Sequence, residues 1–311
     1  MEFYHVPVMA EACMQALSPR ENGIYVDCTL GGAGHSSLLL SQYPIGKLIA
    51  IDKDRDALEA SEKRLSPWKD KVTFVKSDFK CVSDVLEHTG VERVDGVLMD
   101  LGVSSYQLDN YERGFSYRAT DAPLDMRQDA EQALSAFDVV NGYGERDLIR
   151  ILRDYGEERF APRIARNILR KREQQVIRTC GELVDIIYAS IPAAARRTGG
   201  HPAKRTFQAI RIEVNGELLY LKQAINEWIE ALNPGGRIAV ITFHSLEDRI
   251  VKTAFKELEN PCTCDPRAPI CTCGKVPTVK IITKKPIEAN EQELEENPRS
   301  QSAKLRIAEK L

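Results

Sequence analysis

What constrains this chain most is a rhythm in its first third. Short apolar runs at Ile24–Cys28, Leu48–Ile51, Val72–Val75 and Val94–Met99 each end in polar or glycine-rich turns, with helical patterns between them. Runs this short that are apolar throughout, and not only at alternate positions, suit strands covered on both faces. The intervening stretch Asp54–Leu65 carries charges and Ala/Leu at helical spacing. The repeating unit is therefore βα, and the fold class is α/β with a doubly wound, mostly parallel, Rossmann-like sheet.

The rhythm then breaks. From about Ser105 to Arg205 strand signals nearly vanish, and Glu145–Arg153 and Ala161–Gln174 read as charged amphipathic helices, the second with Pro162 in its first turn. Strand pattern returns at Arg237–Phe243, after a helix expected from about Ile212 to Leu232 and ended by the turn Asn233-Pro234-Gly235-Gly236. The economical organisation is a helical domain, residues 105–205, inserted into one α/β domain formed by residues 1–104 and 206–311. In the tail, Thr278–Thr283 and Ala303–Ala308 are expected to pair as an antiparallel hairpin at the sheet edge, and the acidic linker Glu288–Glu296 to be exposed and mobile.

Composition narrows the classes of function. With 43% hydrophobic and 29% charged residues in 311, the chain can bury a substantial core. No apolar run reaches the roughly 18 residues a membrane helix needs, and Met1–Ala10 lacks a secretory pattern, so the reading is a soluble cytoplasmic protein with no membrane partner. Four of the eight cysteines are scattered (Cys13, Cys28, Cys81, Cys180) and four are bunched between Cys262 and Cys273, unlike a secreted disulfide framework. The net charge of -3 gives no global pull toward nucleic acid, so any RNA contact must use a local basic surface.

Ligand chemistry concentrates at the ends of the expected strands. Val26-Asp27-Cys28-Thr29-Leu30-Gly31-Gly32-Ala33-Gly34-His35 follows the first strand and opens a helix, which places small residues where a backbone must approach a ligand. A dinucleotide fingerprint would need a third glycine where Ser37 stands. Asp52 ends the second strand, where a carboxylate can accept ribose hydroxyls of either cofactor type. Ser77-Asp78-Phe79 and Asp100-Leu101-Gly102 follow the third and fourth strands and offer walls for an adenine and an acidic floor near a sulfonium. Each piece has a plainer reading: a tight turn at Gly31 and Gly32, a core aromatic at Phe79, a helix cap at Asp52. Together, on the face where open α/β sheets bind ligands, they favour a nucleoside-bearing cofactor.

The motifs as a set resemble the ribosomal RNA small-subunit methyltransferase H family. The resemblance is carried by His5-Val6-Pro7-Val8-Met9, Val26 to Ser36, Ala50-Ile51-Asp52-Lys53-Asp54, Met99 to Ser105, Arg113-Gly114-Phe115-Ser116, Pro123-Leu124-Asp125-Met126-Arg127, Arg205 to Ile212, Asn215, Phe243 to Arg249 and Asn297-Pro298-Arg299-Ser300. It implies a class I methyltransferase sheet, S-adenosylmethionine as methyl donor, and the exocyclic N4 amine of a decoding-region cytosine in small-subunit (16S) ribosomal RNA as acceptor, within an assembled or assembling small subunit. It further implies cofactor contacts from Ala33, Gly34, His35, Asp52, Phe79, Asp100 and Gln107, and an RNA-binding role for the helical insertion. One departure from other amino-methylating enzymes stands out: many carry Asn/Asp-Pro-Pro-aromatic after the fourth strand, where this chain has Asp100-Leu101-Gly102-Val103.

The implied reaction needs a group that orients a weakly nucleophilic amine and accepts its hydrogen bonds. Asp100 is the catalytic candidate; its alternative is a pure cofactor ligand or a cap. On the same family motifs, Asp125, Arg127, Arg205, Asn215, His244 and Ser245 are candidate substrate contacts, with Phe115, Tyr117 or Phe207 as a face for an unstacked base. Arg159, Arg163, Arg166 and Arg170 recur at helical spacing, with Lys171 and Arg172 beyond; they form either a phosphate-tracking stripe or a solvated face paired with Asp154, Glu157, Glu158 and Glu173. A second basic patch, Arg196, Arg197, Lys204 and Arg205, surrounds His201 near Gly199 and Gly200. Cys262-x-Cys264 and Cys271-x-Cys273 supply enough thiols for a structural zinc site or a loop of free or redox-labile thiols. Two rival functions stay in view: a non-catalytic zinc-stabilised RNA-binding assembly factor, and a DNA or protein methyltransferase on the same scaffold.

Overall fold

A computed structural model describes residues 7–197, 200–265, 270 and 272–311. His5 and Val6 of the first motif, Gly199 and Cys271 lie outside the described residues. The chain divides into two compact units, one of residues 1–102 and 218–311, the other of residues 103–217.

The first unit alternates helix and strand: α1 (Ala10–Leu17), β1 (Ile24–Asp27), α2 (Gly34–Gln42), β2 (Lys47–Asp52), α3 (Arg55–Arg64), β3 (Val72–Lys76), α4 (Val82–Thr89) and β4 (Val94–Asp100). Helix α3 starts where it does because Asp54 caps it, accepting from the Asp56 N–H at 3.1 Å. The helices of the second unit follow: α5 (Ser105–Asp109), α6 (Ala136–Gly142), α7 (Glu145–Asp154), α8 (Ala161–Gln174), α9 (Cys180–Ser190), α10 (Ala193–Arg196) and α11 (Lys204–Asn215). The chain returns to the first unit through α12 (Leu221–Ala231), β5 (Leu232–Thr242), α13 (Ser245–Glu259), β6 (Val279–Ile281), β7 (Ile287–Glu288), α14 (Glu291–Glu296) and β8 (Lys304–Lys310).

The strands form one sheet in the order β3-β2-β1-β4-β5-β8-β6, with β7 also on β8. The pairs from β3 through β5 are parallel; those made by β8 are antiparallel. Strand order therefore reverses between β1 and β4, the place where crossovers leave a crevice at the carboxyl ends. Side chains alternate between two cores. Val26, Ile49, Ile51, Val97, Met99, Ile238 and Val240 pack with Ile225, Trp228 and Phe255, while Tyr25, Leu48, Ala50, Leu98, Ala239 and Ile241 pack with Met14, Leu17, Leu39 and Leu40. Apolar residues on both faces explain why the strands read as continuous apolar runs.

The second unit has its own core. Leu148, Ile151 and Leu152 of α7, Ile164, Ala165 and Ile168 of α8, Leu183 and Ile187 of α9, and Ala209 and Ile210 of α11 meet at helical spacing. No described helix is long and apolar enough to cross a membrane.

Several expectations need correction. The helix expected over 212–232 is two helices, because Gly216 stops α11 in the left-handed conformation (φ +61°) and α12 starts afresh at Leu221. Helix α11 packs with the second unit, so the return to the first falls at Leu218 and not at 206. The Asn233–Gly236 turn does not end a helix: it lies inside β5, where the pairing with β4 shifts register between Val94 and Gly96. The acidic linker is built, not loose. Asn290 caps α14 by accepting from the Glu293 N–H (2.8 Å), and the Glu293 carboxylate accepts from Ser300 Oγ (2.7 Å) and from the Met9 N–H. Finally, β6 and β8 do pair antiparallel, but β8 sits between β5 and β6 and so extends the sheet inward of its edge.

Candidate active site

Each of β1, β2 and β4 ends in an aspartate: Asp27, Asp52 and Asp100. The loop after β1 ties the three ends together. Thr29 donates its N–H to Asp27 Oδ1 (3.2 Å), and its hydroxyl accepts the Asp100 N–H (2.6 Å). Two residues on, the Gly31 N–H donates to Asp52 Oδ2 (2.8 Å). The loop can fold this tightly because Gly31 has φ +49° and Ala33 φ +56°, left-handed values that favour small residues. Ala33 is fully buried, its methyl packed in the core beneath the loop. A side-chain carbon on Gly34 would press on Pro7, whereas one on Gly32 would meet only open space.

The three carboxylates differ in what satisfies them. Asp27 is buried and accepts from Ser36 Oγ at 2.6 Å; burial raises its pKa and that hydrogen bond partly offsets the effect. Asp52 accepts from the Gly31 and Asp54 N–H groups, yet burial still pushes it up to about 6. Capping of α3 falls to Asp54, which frees Asp52 from the plainer reading as a cap. Asp100 is also raised to about 6, chiefly by burial, with His35 pulling it down and Asp27 and Glu247 pushing it up. Its Oδ1 is buried and has no hydrogen-bond partner among the described residues. His35 is aimed at the other oxygen: Nε2 donates to the Val8 carbonyl (2.8 Å), which turns Nδ1 toward Asp100 Oδ2 at 3.8 Å.

Around this centre, Phe79 is half-buried against the α12 side of the sheet, and its carbonyl accepts from the buried Trp228 Nε1 (2.8 Å). Its neighbour Asp78 has Lys53 Nζ at 3.4 Å and Lys80 Nζ at 3.5 Å. His244, at the end of β5, caps α13 in a reciprocal box with Glu247: Nδ1 accepts from the Glu247 N–H (3.4 Å), and Nε2 lies 3.2 Å from Glu247 Oε1. Ser245 is the first residue of that helix.

The remaining expected contacts belong to the second unit. Gln107 is buried and closes a capping box with Ser104, whose N–H its Oε1 accepts at 3.0 Å. Asp125 holds Arg127 by two hydrogen bonds (2.9 and 2.7 Å); burial raises the carboxyl, but the guanidinium outweighs this and keeps it below its ordinary range. Asn215 is spent on the fold: its oxygen accepts from the Gln128 N–H and its amide donates to the Met126 and Arg211 carbonyls, which pins Met126 at φ +58°. Both of its donors are thus committed to backbone, so a base contact through them would need those bonds broken. Arg205 Nη1 donates to the Glu157 carbonyl (3.1 Å). Among the described residues, the exposed Arg163, Arg166 and Arg170 form no ion pair; Arg163 and Arg166 bond backbone carbonyls instead. Tyr117 stacks on His201 (4.4 Å, 12°) and meets the buried Phe207 edge-on.

Sequence reasoning overlooked Asp27 and Thr29 as organisers. The available signal was the shared pattern: each of these apolar runs closes on an aspartate, and Asp27 is one of the three.

The profile of the MraW methylase family matches residues 2–311. A Brevibacillus brevis protein named ribosomal RNA small subunit methyltransferase H is 57% identical over 100% of this chain and 99% of its own length. An Agathobacter rectalis protein named ribosomal RNA small subunit methyltransferase H 2 is 55% identical, again over 100% and 99%. Among solved structures, an rRNA methylase from Streptococcus thermophilus matches at 12% identity and TM-score 0.41, over 100% of this chain and 99% of that one, too distant to carry an inference.

Proposed function

The chain belongs to the MraW methylase family, and from that premise we propose that it transfers a methyl group from S-adenosylmethionine to the exocyclic N4 amine of a cytosine in the decoding region of small-subunit ribosomal RNA. The full-length relatives named for small-subunit rRNA methylation support the RNA class of the substrate. The cytosine and its N4 position rest on the family resemblance of the motifs. The structural observation that carries the cofactor reading is the buried, unpartnered Oδ1 of Asp100 beside the sheet's switch point. A carboxylate left so is costly unless something cationic or hydrogen-bonding meets it. The donor set fits a methionine nucleoside: acids at three strand ends, a small-residue loop with open space over Gly32, and an aromatic at Phe79.

When bound, the cofactor supplies an electrophilic methyl on a sulfonium. The chain's own residues do the rest. Asp52 and the Gly31–Gly34 loop would hold the nucleoside, with Phe79 as the wall for its base. Asp100 neutralises the cationic end and accepts a hydrogen bond from the target amine, which draws the nitrogen lone pair out of conjugation with the ring. As the new N–C bond forms and the C–S bond breaks, the amine must shed one proton. Asp100, the carboxylate nearest the amine in this arrangement, would take that proton and release it to solvent. Asp125, Arg127, Arg205, Asn215, His244 and Ser245 are assigned to holding or supporting the RNA segment, Asn215 through the backbone it fixes. The substrate is an assembled or assembling small subunit in the cytoplasm.

The test is transfer of labelled methyl from S-adenosylmethionine to small subunits from a strain lacking the gene, followed by digestion to nucleosides. N4-methylcytidine is the expected product. Label on another nucleoside, on DNA or on protein would reject the proposed substrate.

A further inference from the structure

The segment between α13 and β6 is long, and its described residues form no helix or strand. Its base is closed: the Thr278 N–H donates to the Leu258 carbonyl (3.0 Å) and the Ile281 N–H to Glu259 Oε1 (2.8 Å). Above that base, Ile270 and Val276 are both 70% or more exposed and join neither core of the unit. Here three sulfurs meet. Cys262, Cys264 and Cys273 bring their Sγ atoms within 4.8 Å of one another, with Cys262 and Cys273 3.8 Å apart and none in a disulfide.

That spacing suits a metal. Bonds of about 2.3 Å from zinc to sulfur, arranged tetrahedrally, put neighbouring sulfurs roughly 3.8 Å apart. A negative charge on Cys264 is also met by a backbone donor, since the Thr272 N–H points to its Sγ at 3.4 Å, the kind of outer contact that orients a thiolate ligand. The three residues come from both arms of the segment, so one ion would tie the arms together and reduce the entropy of the loop between them.

We propose that Cys262, Cys264 and Cys273 bind a structural Zn²⁺ ion that fixes the segment between α13 and β6. Each thiol gives up its proton to solvent on binding, so the ion is held more weakly as pH falls. No redox step is involved, and the site is independent of the methyl-transfer reading.

The test uses the full chain, purified under reducing conditions, stripped with a chelator and reloaded with Zn²⁺ alone, with bound metal read by elemental analysis. About one zinc per chain is expected, falling below about a tenth in a Cys262→Ser/Cys273→Ser variant whose circular dichroism is unchanged. Reloading the wild type with Co²⁺ gives a second readout: the intense visible bands of tetrahedral cobalt with thiolate charge transfer. Wild-type protein that keeps no zinc and shows only octahedral cobalt overturns the proposal, whatever the variant does. A mass two hydrogens lower under non-reducing conditions, mapped to Cys262–Cys273 and unaffected by added zinc, overturns it in favour of a disulfide.

Discussion

The strand-end carboxylates of the first unit differ from the paired carboxylates of the second, although the first unit also has pairs such as Asp248 with Arg306. In the first, Asp27, Asp52 and Asp100 are gathered at strand ends, Asp27 buried and the other two half-buried, with no arginine or lysine among the described residues bonded to them, and desolvation raises the pKa of all three. In the second, Asp125 grips Arg127, Glu217 grips Arg211 through two bonds of 2.8 Å, and Glu213 meets Arg150 at 3.1 Å. A paired carboxylate is part of the scaffold. A buried carboxylate left without a cation costs stability, and a fold that keeps one is holding it for something else. The contrast separates binding chemistry from architecture among residues that look alike in a sequence.

The sharpest break would come at Asp100. Asp100→Asn keeps the backbone N–H that bonds Thr29 but removes the charge, and should lower methyl transfer on the order of 10²- to 10³-fold while leaving thermal unfolding unchanged or slightly higher. A variant that lost both together would place Asp100 in the scaffold. Asn215→Ala is the counterpart in the second unit: it strands the Met126 carbonyl and the Gln128 N–H and should cost about 2–4 kcal/mol in urea unfolding. Little change there would return Asn215 to the list of direct RNA contacts.

Acid and base should act with opposite sign on the two units. Asp52 and Asp100 have folded pKa values of about 6, above those of the unfolded chain, so their stabilising contribution is full below the unfolded value and is lost as pH rises through about 6. Asp125, lowered, contributes above its unfolded value and loses that contribution as pH falls. Asp100→Asn should therefore gain stability relative to wild type on going from about pH 5 to about pH 7, by no more than about 1.4 kcal/mol per unit. A flat difference across that window would show that Asp100 is not buried as described. Over the same range, cofactor affinity should weaken below about pH 6, because only the ionised carboxylate attracts a cation. The smallest effect is expected from Asp125→Ala, about 1 kcal/mol of stability near neutral pH and less in acid, since the pair is partly open to solvent.

The sheet was legible because its strands are apolar on both faces, and α8 because Pro162 and its spacing mark both ends. What was not legible has physical reasons. Gly216 stops a helix inside a stretch whose apolar spacing continues on the other side, so pattern alone runs α11 into α12. The Asn233–Gly236 turn resembles a helix stop, but pairing with β4 draws it into a strand with a bulge. The acidic segment 288–296 looks like a solvated linker until Glu293 is seen bonding the distant Met9. At the site, Asp52, Asp100 and the glycine loop could be picked out by their strand-end positions. His35 facing Asp100 across the loop, and Asn215 bonded to the backbone at Met126 and Gln128, are long-range facts that spacing does not carry.

The central claim is that Asp100 keeps a buried oxygen for a cationic cofactor. Calorimetric titration of S-adenosylmethionine into wild type and Asp100→Asn near pH 7.5 tests it directly. The account predicts one site per wild-type chain and an affinity lower by about 10- to 100-fold in the variant, with unfolding of the free proteins alike. Equal affinities in two equally folded proteins would contradict it.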